Sequence, residues 1–188
     1  MSDLLVIGAG VLGMLVARRW QTLHPSANVT LKFRSVNTTR NSEMEKEGFK
    51  IITKEGGEKL VNPLVVFCAP PTGNDDYAEV CKHDSNLSIL RLLLLQTLSK
   101  DIRSSVKDHW EKSGVFVFTS AGSVYAENEG GEVDESSEVT RTERSGKLLD
   151  GEEAVIQAGG SVIRLGGLYT ETRSVGYQIS RYSFKNIF

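Results

Sequence analysis

Three glycines stand near the amino terminus in a G-x-G-x-x-G pattern, in the segment Gly8-Ala9-Gly10-Val11-Leu12-Gly13. Gly8 would let the chain turn sharply out of a strand, Gly10 would let backbone N–H groups approach a phosphate, and Gly13 would let a helix pack closely. A helix N-terminus adds its dipole and free N–H groups. The pattern therefore predicts a dinucleotide pyrophosphate site. Its predicted contacts are Gly8, Gly10, Val11, Leu12 and Gly13.

The segment after the predicted second strand bears on which dinucleotide would bind. NAD sites usually place an acid there to hold the ribose 2′-hydroxyl. No acid occurs between Asn28 and Ser42, whereas Arg34 and Arg40 do. Because a guanidinium can pair bidentately with a 2′-phosphate, we expect NADP, with NAD as the alternative. The expected contacts are Thr38, Thr39 and Arg40; the competing interpretation is that these arginines are ordinary surface charges.

A third group of candidates ends the predicted fourth strand, in Cys68-Ala69-Pro70-Pro71. The carboxyl ends of parallel strands line the ligand crevice of this kind of sheet. Ala69 and Pro70 are therefore expected beside the adenosine half of the dinucleotide, unless they only terminate the strand.

Metal chemistry is not predicted. The two cysteines, Cys68 and Cys81, are not spaced as a ligand pair, and the three histidines are scattered. The acidic loop over residues 126–140 lacks EF-hand spacing. We interpret it as a solvated loop.

These candidates need a scaffold, and the chain alternates between strand and helix patterns to supply one. Apolar runs predict strands at 3–7, 49–52, 63–69, 115–118 and 161–165, and the alternating, β-branched segment at 29–33 predicts another. Helical spacing predicts helices at 11–23, 41–47, 86–112 and 143–157, with Gly114 closing the third. This alternation predicts an α/β fold of the Rossmann type, a doubly wound parallel sheet of about six strands.

Composition limits the function further. The chain has 188 residues and a formal net charge of -2, which fits one globular domain and gives no electrostatic case for a nucleic-acid partner. The apolar stretches, such as the one at 92–95, are far too short to span a bilayer. An apolar strand begins directly at the amino terminus, so a cytoplasmic protein is expected, or an organellar one if an import sequence has been removed.

Two more blocks accompany the glycine turn: Phe118-Thr119-Ser120-Ala121-Gly122-Ser123-Val124-Tyr125 and Ile163-Arg164-Leu165-Gly166-Gly167-Leu168-Tyr169. The first is similar to the S-S-x-x-V-Y-G motif, and the second to the L-R-L-x-x-x-Y-G motif, of the short-chain dehydrogenase/reductase superfamily. The chain resembles its extended and atypical branches, which include NAD-dependent epimerases and dehydratases. The resemblance covers about residues 3–172 and implies an NAD(P)-binding Rossmann domain over residues 1–172.

The resemblance also implies a hydride-transfer site. In the family a Ser or Thr after strand five holds the substrate oxygen, and a Y-x-x-x-K pair exchanges a proton and grips the nicotinamide ribose. Here Ala121 stands at the hydroxyl position and Glu143 at the Tyr position, while Lys147 fits the lysine. The candidate catalytic residues are Ser120, Ser123, Tyr125 and Lys147, and Lys147 is also a candidate cofactor contact.

The match ends near Thr172-Arg173, where family members continue into a substrate domain. We expect that this C-terminal domain is missing, that residues 173–188 form a non-matching tail, and that the chain is a truncated product. Two functions remain open: an NADP-dependent oxidoreductase or epimerase acting on an unidentified small molecule, and an NADP(H)-binding sensor or interaction module without turnover. A homodimer is left open by the resemblance.

Overall fold

A six-stranded sheet forms the centre of the computed structural model, which describes residues 3–53, 60–69 and 102–169. The strands are β1 (Leu4–Ile7), β2 (Val29–Phe33), β3 (Lys50–Thr53), β4 (Asn62–Phe67), β5 (Trp110–Ala121) and β6 (Ser161–Leu165). The helices are α1 (Val11–Leu23), α2 (Thr38–Lys46), α3, described over 102–109, and α4 (Glu143–Gln157).

All neighbouring strands run parallel, in the order β3-β2-β1-β4-β5-β6. The order reverses at β1, where Leu4 pairs with Val29 of β2 on one side and with Leu64 of β4 on the other. Such a reversal opens a crevice outside the carboxyl ends of the strands. The predicted Rossmann-type α/β sheet of about six strands is confirmed.

Apolar residues fill both faces of the sheet. On one face, α1 contributes Ala17 to a cluster with Leu31 and Phe33 of β2. On the other face, the cluster includes residues of α3, α4 and β5, namely Ile102, Val106, Leu148, Val155, Phe116 and Phe118. This two-sided burial explains why β1, most of β4 and residues 115–118 of β5 are continuous apolar runs rather than alternating ones.

The boundary between α3 and β5 differs from the prediction. The helix predicted over 86–112 gives way to β5 at Trp110, which pairs with Asn62 of β4, and residues 86–101 lie outside the described part. A Cβ at Gly114 would lie 2.8 Å from Pro63 Cα and closer still to its carbonyl oxygen. Gly114 is therefore a strand glycine beside a register shift in β4, not the end of a helix.

The second helix begins earlier than predicted. The side chain of Asn37 accepts a hydrogen bond from the backbone N–H of Arg40 at 3.0 Å, so α2 begins at Thr38 rather than at residue 41. Thr38, Thr39 and Arg40 consequently occupy the first helical turn instead of a loop. Among the other boundaries, β3 begins one residue late, β4 begins at Asn62 and ends at Phe67, and β5 ends at Ala121 instead of residue 118.

Candidate functional site

The turn between β1 and α1 is held against the end of β4. Gly8 has a φ of 84°, and a Cβ there would lie 2.8 Å from Ala69 Cβ and closer to the Ala69 backbone nitrogen. Its N–H donates to the carbonyl of Lys32 at 3.0 Å. A Cβ on Gly13 would lie 2.7 Å from the Gly8 carbonyl oxygen. Only glycine can therefore occupy positions 8 and 13 without a steric clash. The contacts of Gly8 bring the ends of β1, β2 and β4 together at the crevice.

The N-terminus of α1 faces open space. Within the described residues, no side chain caps this helix, no acid stands in its first turn, and a Cβ on Gly10 would meet no heavy atom within 4 Å. The first backbone N–H groups of a helix lack intrahelical acceptors, and its dipole favours negative charge there. Val11 is exposed and Leu12 half-buried. The residues present therefore fit a phosphate group at this end of α1.

Arg40 belongs to the first turn of α2, and its guanidinium lies against the end of β2. Its Cζ is 3.7 Å from the centroid of the Phe33 ring, and its Nη2 donates to the Ser35 carbonyl at 3.0 Å. These contacts hold the guanidinium against the strand end instead of leaving it free in solvent. Thr38 and Thr39 are exposed in the same helical turn.

The end of β4 contributes backbone and small side chains. The N–H of Cys68 donates to the Ile7 carbonyl at 2.8 Å, and Thr119 Oγ1 of β5 donates to the Phe67 carbonyl at 3.1 Å. Burial raises the pKa of the Cys68 thiol, so the thiol stays protonated at neutral pH. Ala69 is half-buried beside Gly8, and Pro70 lies outside the described residues.

The two candidate serines have different surroundings, because Ser120 lies within β5 and Ser123 lies after it. Ser120 is 5% exposed, and its Oγ donates to Glu152 Oε1 at 2.5 Å. Ser123 is exposed in a short 3-10 turn over Gly122–Val124, and the half-buried Tyr125 follows that turn. The structure thus brings Ser123 and Tyr125 together at the end of β5, while Ser120 faces the core beneath α4.

Lys147 and Glu143 lie one turn apart on α4. The helix begins with a capping box, in which Thr142 Oγ1 accepts from the Ser145 N–H at 3.1 Å and Ser145 Oγ accepts from the Thr142 N–H at 2.7 Å. This cap fixes Glu143 as the first helical residue. Glu143 and Lys147 are both half-buried, and their spacing of four residues places them on one face of α4.

Sequence reasoning missed a buried ion pair beneath this end of the sheet. Glu152 of α4 is 3% exposed, and Arg164 Nη2 of β6 donates to its Oε2 at 2.7 Å. The hydrogen bond with Glu152 raises the pKa of the Arg164 guanidinium above its usual value. The available signal was an acid on the apolar face of a predicted helix, between Leu148 and Val155, because a carboxylate there needs a buried partner.

Two negative findings apply to the part of the chain that the structure describes. No group of three or more His, Cys, Asp or Glu side chains is placed to hold a metal ion. None of the described helices has both the length and the apolar character needed to cross a bilayer.

Comparison with known proteins supports the fold. No protein-family model matches the chain. No curated protein sequence matches it either. Solved structures do match. A protein provisionally named an epimerase, from Burkholderia cenocepacia, superposes with a TM-score of 0.68 at 12% identity, covering 96% of this chain and 59% of its own.

Two further neighbours have established names. UDP-glucuronic acid 4-epimerase from Bacillus cereus, solved as a tyrosine-to-phenylalanine mutant with NAD and a fluorinated UDP-glucuronic acid, has a TM-score of 0.62 at 14% identity, covering 98% of this chain and 63% of its own. ADP-L-glycero-D-manno-heptose-6-epimerase from Helicobacter pylori has a TM-score of 0.58 at 17% identity, covering 98% and 64%.

Fold and site together define a class, the Rossmann-type α/β domains. The structural neighbours are epimerase and NAD-dependent epimerase/dehydratase-like proteins, which confirms at the level of the fold the resemblance read from the residues. The chain spans between 59% and 64% of the length of these neighbours.

Proposed function

We propose that this chain is a nicotinamide dinucleotide-binding protein of the epimerase/dehydratase-like branch of the short-chain dehydrogenase/reductase superfamily. The observation that carries the proposal is the Gly8 turn packed against Ala69, which leaves open space over Gly10 at the uncapped start of α1. A pyrophosphate would lie there, on the backbone N–H groups of Val11 and Leu12. Further support comes from the neighbouring UDP-glucuronic acid 4-epimerase, which was solved with NAD.

We assign NADP as the preferred dinucleotide, with NAD as the alternative. Arg40 supports this assignment, because its guanidinium is held at the end of β2 by the Phe33 ring. The 2′-phosphate of NADP would lie on Arg40 and the exposed hydroxyls of Thr38 and Thr39. The adenosine half would then lie between β2 and the Ala69-Pro70 end of β4.

A substrate site would lie on the other side of the crevice, next to β5 and α4. The bound dinucleotide would supply or accept a hydride there. Ser123 and Tyr125 would contact the substrate oxygen, and Lys147 would bind the nicotinamide ribose. The hydrogen bond from Ser120 to Glu152 favours a structural role for Ser120 over a substrate contact. The substrate would be a small molecule carrying a hydroxyl or carbonyl group, as for an oxidoreductase or epimerase.

The second candidate function is binding without turnover, as an NADP(H) sensor or interaction module. It is favoured by Ala121 at the position of the family's hydroxyl residue and by Glu143 at the position of its Tyr. In either case we propose one dinucleotide-binding domain over residues 1–172, followed by a distinct segment at 173–188. The same proposal includes a cytoplasmic location and no nucleic-acid partner. It leaves both a monomer and a homodimer open.

Fluorescence titration of the chain with NADPH and with NADH tests the proposal. Saturable binding with NADPH preferred is the expected result. Gly10→Ala should weaken binding about tenfold while the melting temperature is kept, because a methyl group there fills space that a phosphate needs and meets no heavy atom of the described residues within 4 Å. No binding of either dinucleotide, or undiminished binding by Gly10→Ala, would contradict the assignment.

Arg40→Gln tests the choice of dinucleotide. The variant should lose affinity for NADPH and keep its affinity for NADH, because only NADPH carries the 2′-phosphate. Arg18→Gln is the matched control, since Arg18 is an exposed arginine of α1 paired with Glu47. Equal effects of Arg40→Gln on both dinucleotides would remove the case for NADP and leave the glycine turn unaffected.

Lys147→Ala tests whether the chain is an enzyme or a binding module without turnover. If the chain turns over a substrate, this variant should abolish hydride transfer while the adenosine end still binds. A substrate screen that yields no turnover with a wild-type chain that binds NADPH would favour the non-catalytic function.

A further inference from the structure

Three side chains, one each from α4, β5 and β6, meet beneath the carboxyl ends of β5 and β6. Arg164 donates to both carboxylate oxygens of Glu152: its Nε lies 3.2 Å from Oε1 and 3.1 Å from Oε2, and its Nη2 lies 2.7 Å from Oε2. The Oε1 atom also accepts from Ser120 Oγ. Ser120 and Arg164 are direct neighbours across the β5–β6 ladder. One buried carboxylate thus ties α4 to both strands.

The guanidinium of Arg164 also packs against the aromatic ring of Tyr125. Its Cζ lies 4.8 Å from the centroid of the Tyr125 ring, a cation–π distance. The Arg164 side chain is 21% exposed, whereas that of Glu152 is only 4% exposed. The pair therefore extends from the core, at Glu152, to the surface where Tyr125 follows β5.

Tyr125 follows the carboxyl end of β5, the side of the crevice that the proposed function gives to the nicotinamide half. The β5 end is joined to the β4 end through Thr119 and Phe67, and the β4 end touches the glycine turn at Ala69. The backbone of Tyr125 is held as well, since its N–H donates to the Gly122 carbonyl and it bridges to Val139. The guanidinium of Arg164 packs against the Tyr125 ring and so restricts the orientation of that ring.

We propose that Arg164, fixed by the buried carboxylate of Glu152, is a positioning residue that sets the Tyr125 ring as the wall of the nicotinamide pocket. The inference rests on the proposed function. It assigns to Glu152 and Arg164 a role in holding one half of the dinucleotide only. The adenosine half, between β2 and β4, is outside their reach.

The test compares two ligands on the full-length chain by titration. One is the dinucleotide that the wild-type chain prefers, NADPH or NADH. The other is its fragment without nicotinamide, 2′-phospho-ADP-ribose or ADP-ribose. The variants are Arg164→Gln, Tyr125→Ala and the two combined. Arg141→Gln is the matched control, because Arg141, just before α4, makes an exposed ion pair with Asp150 of α4.

Arg164→Gln and Tyr125→Ala should each weaken binding of the dinucleotide by about tenfold and leave binding of the fragment unchanged. The combined variant should be no weaker than the weaker single one, because Arg164 acts through Tyr125. Arg141→Gln should change neither ligand. A purely structural role of the ion pair predicts a different result, namely equal loss for both ligands.

Arg164→Gln leaves Glu152 buried without its cation and can prevent folding. In that case Glu152→Gln/Arg164→Gln, which removes both charges together, takes its place with the same expectation. Equal loss for dinucleotide and fragment, no loss for either, or additive losses in the combined variant would overturn the inference. A wild-type chain that binds neither ligand would instead contradict the proposed function itself.

Discussion

The absent side chain has opposite consequences at Gly8 and Gly10. At Gly8 the backbone has a φ of 84° and the end of β4 occupies the place of a Cβ. At Gly10 the backbone is extended and the same position is open. Gly8 therefore serves the fold, and Gly10 is available to a ligand, although the sequence motif treats both glycines alike.

Gly8→Ala should lower the free energy of unfolding by roughly 2–4 kcal/mol, because it adds a left-handed backbone penalty to a close contact with Ala69. Gly10→Ala is the control and should change stability by less than about 0.5 kcal/mol. Urea unfolding followed by circular dichroism measures both. Equal stabilities for the two variants would show that the turn does not pack on β4.

The serines near β5 call for a similar distinction. Ser120→Ala removes a donor from the buried carboxylate of Glu152 and should cost about 1–3 kcal/mol of stability. Ser123→Ala removes an exposed hydroxyl and should cost less than about 0.5 kcal/mol. Chemical denaturation of the two variants side by side makes the comparison. A larger loss for Ser123→Ala would reverse the structural assignment of the two hydroxyls.

Among the elements, buried strands were predictable because a strand covered on both faces is a continuous apolar run. The start of β5 was not, since Trp110 suits the apolar face of a helix as well as a buried strand. Its pairing with Asn62, distant in the chain, decides the matter. The contact between Glu152 and Arg164 was out of reach for the same reason, because local pattern does not specify which strand a helix face will cover.

The β5 boundary leads to a prediction about Gly114. Gly114→Ala should lower the free energy of unfolding by about 1–3 kcal/mol, because the methyl group would collide with the backbone of Pro63 in β4. A loss of less than about 0.5 kcal/mol for Gly114→Ala would contradict the close contact between Gly114 and Pro63. Gly166→Ala is a suitable control, since a Cβ there meets no described heavy atom within 4 Å. Thermal melting of both variants gives the answer.

For the molecule as a whole, several acids share one direction of shift. The pKa values of Asp3, Glu47, Glu127 and Asp134 are lowered by hydrogen bonds, in Asp3 chiefly from the Asn28 backbone and in Glu47 from Arg18. A carboxyl whose folded pKa is depressed stabilises the fold above its unfolded pKa and loses that contribution as the pH falls through the folded value. All four groups therefore lower the free energy of unfolding as the pH falls.

The free energy of unfolding should change little between pH 7 and 5 on account of these groups and fall as the pH drops below about 4. Asp3→Asn should be less stable than the wild type at pH 7, with the difference shrinking toward zero near pH 2. Urea titrations across this range measure the difference. A gap between wild type and variant that is independent of pH would contradict the role given to Asp3.

The position of β1 in the sheet has a consequence for biosynthesis. Of the six strands, β1 is the first to leave the ribosome, yet it lies inside the sheet, between β2 and β4. Its second neighbour ends only at Phe67. At a synthesis rate of roughly 5–20 residues per second, one edge of β1 waits for several seconds without its partner. During translation this apolar strand is exposed to chaperones and to other nascent chains, and slowing the ribosome before Phe67 would lengthen that period.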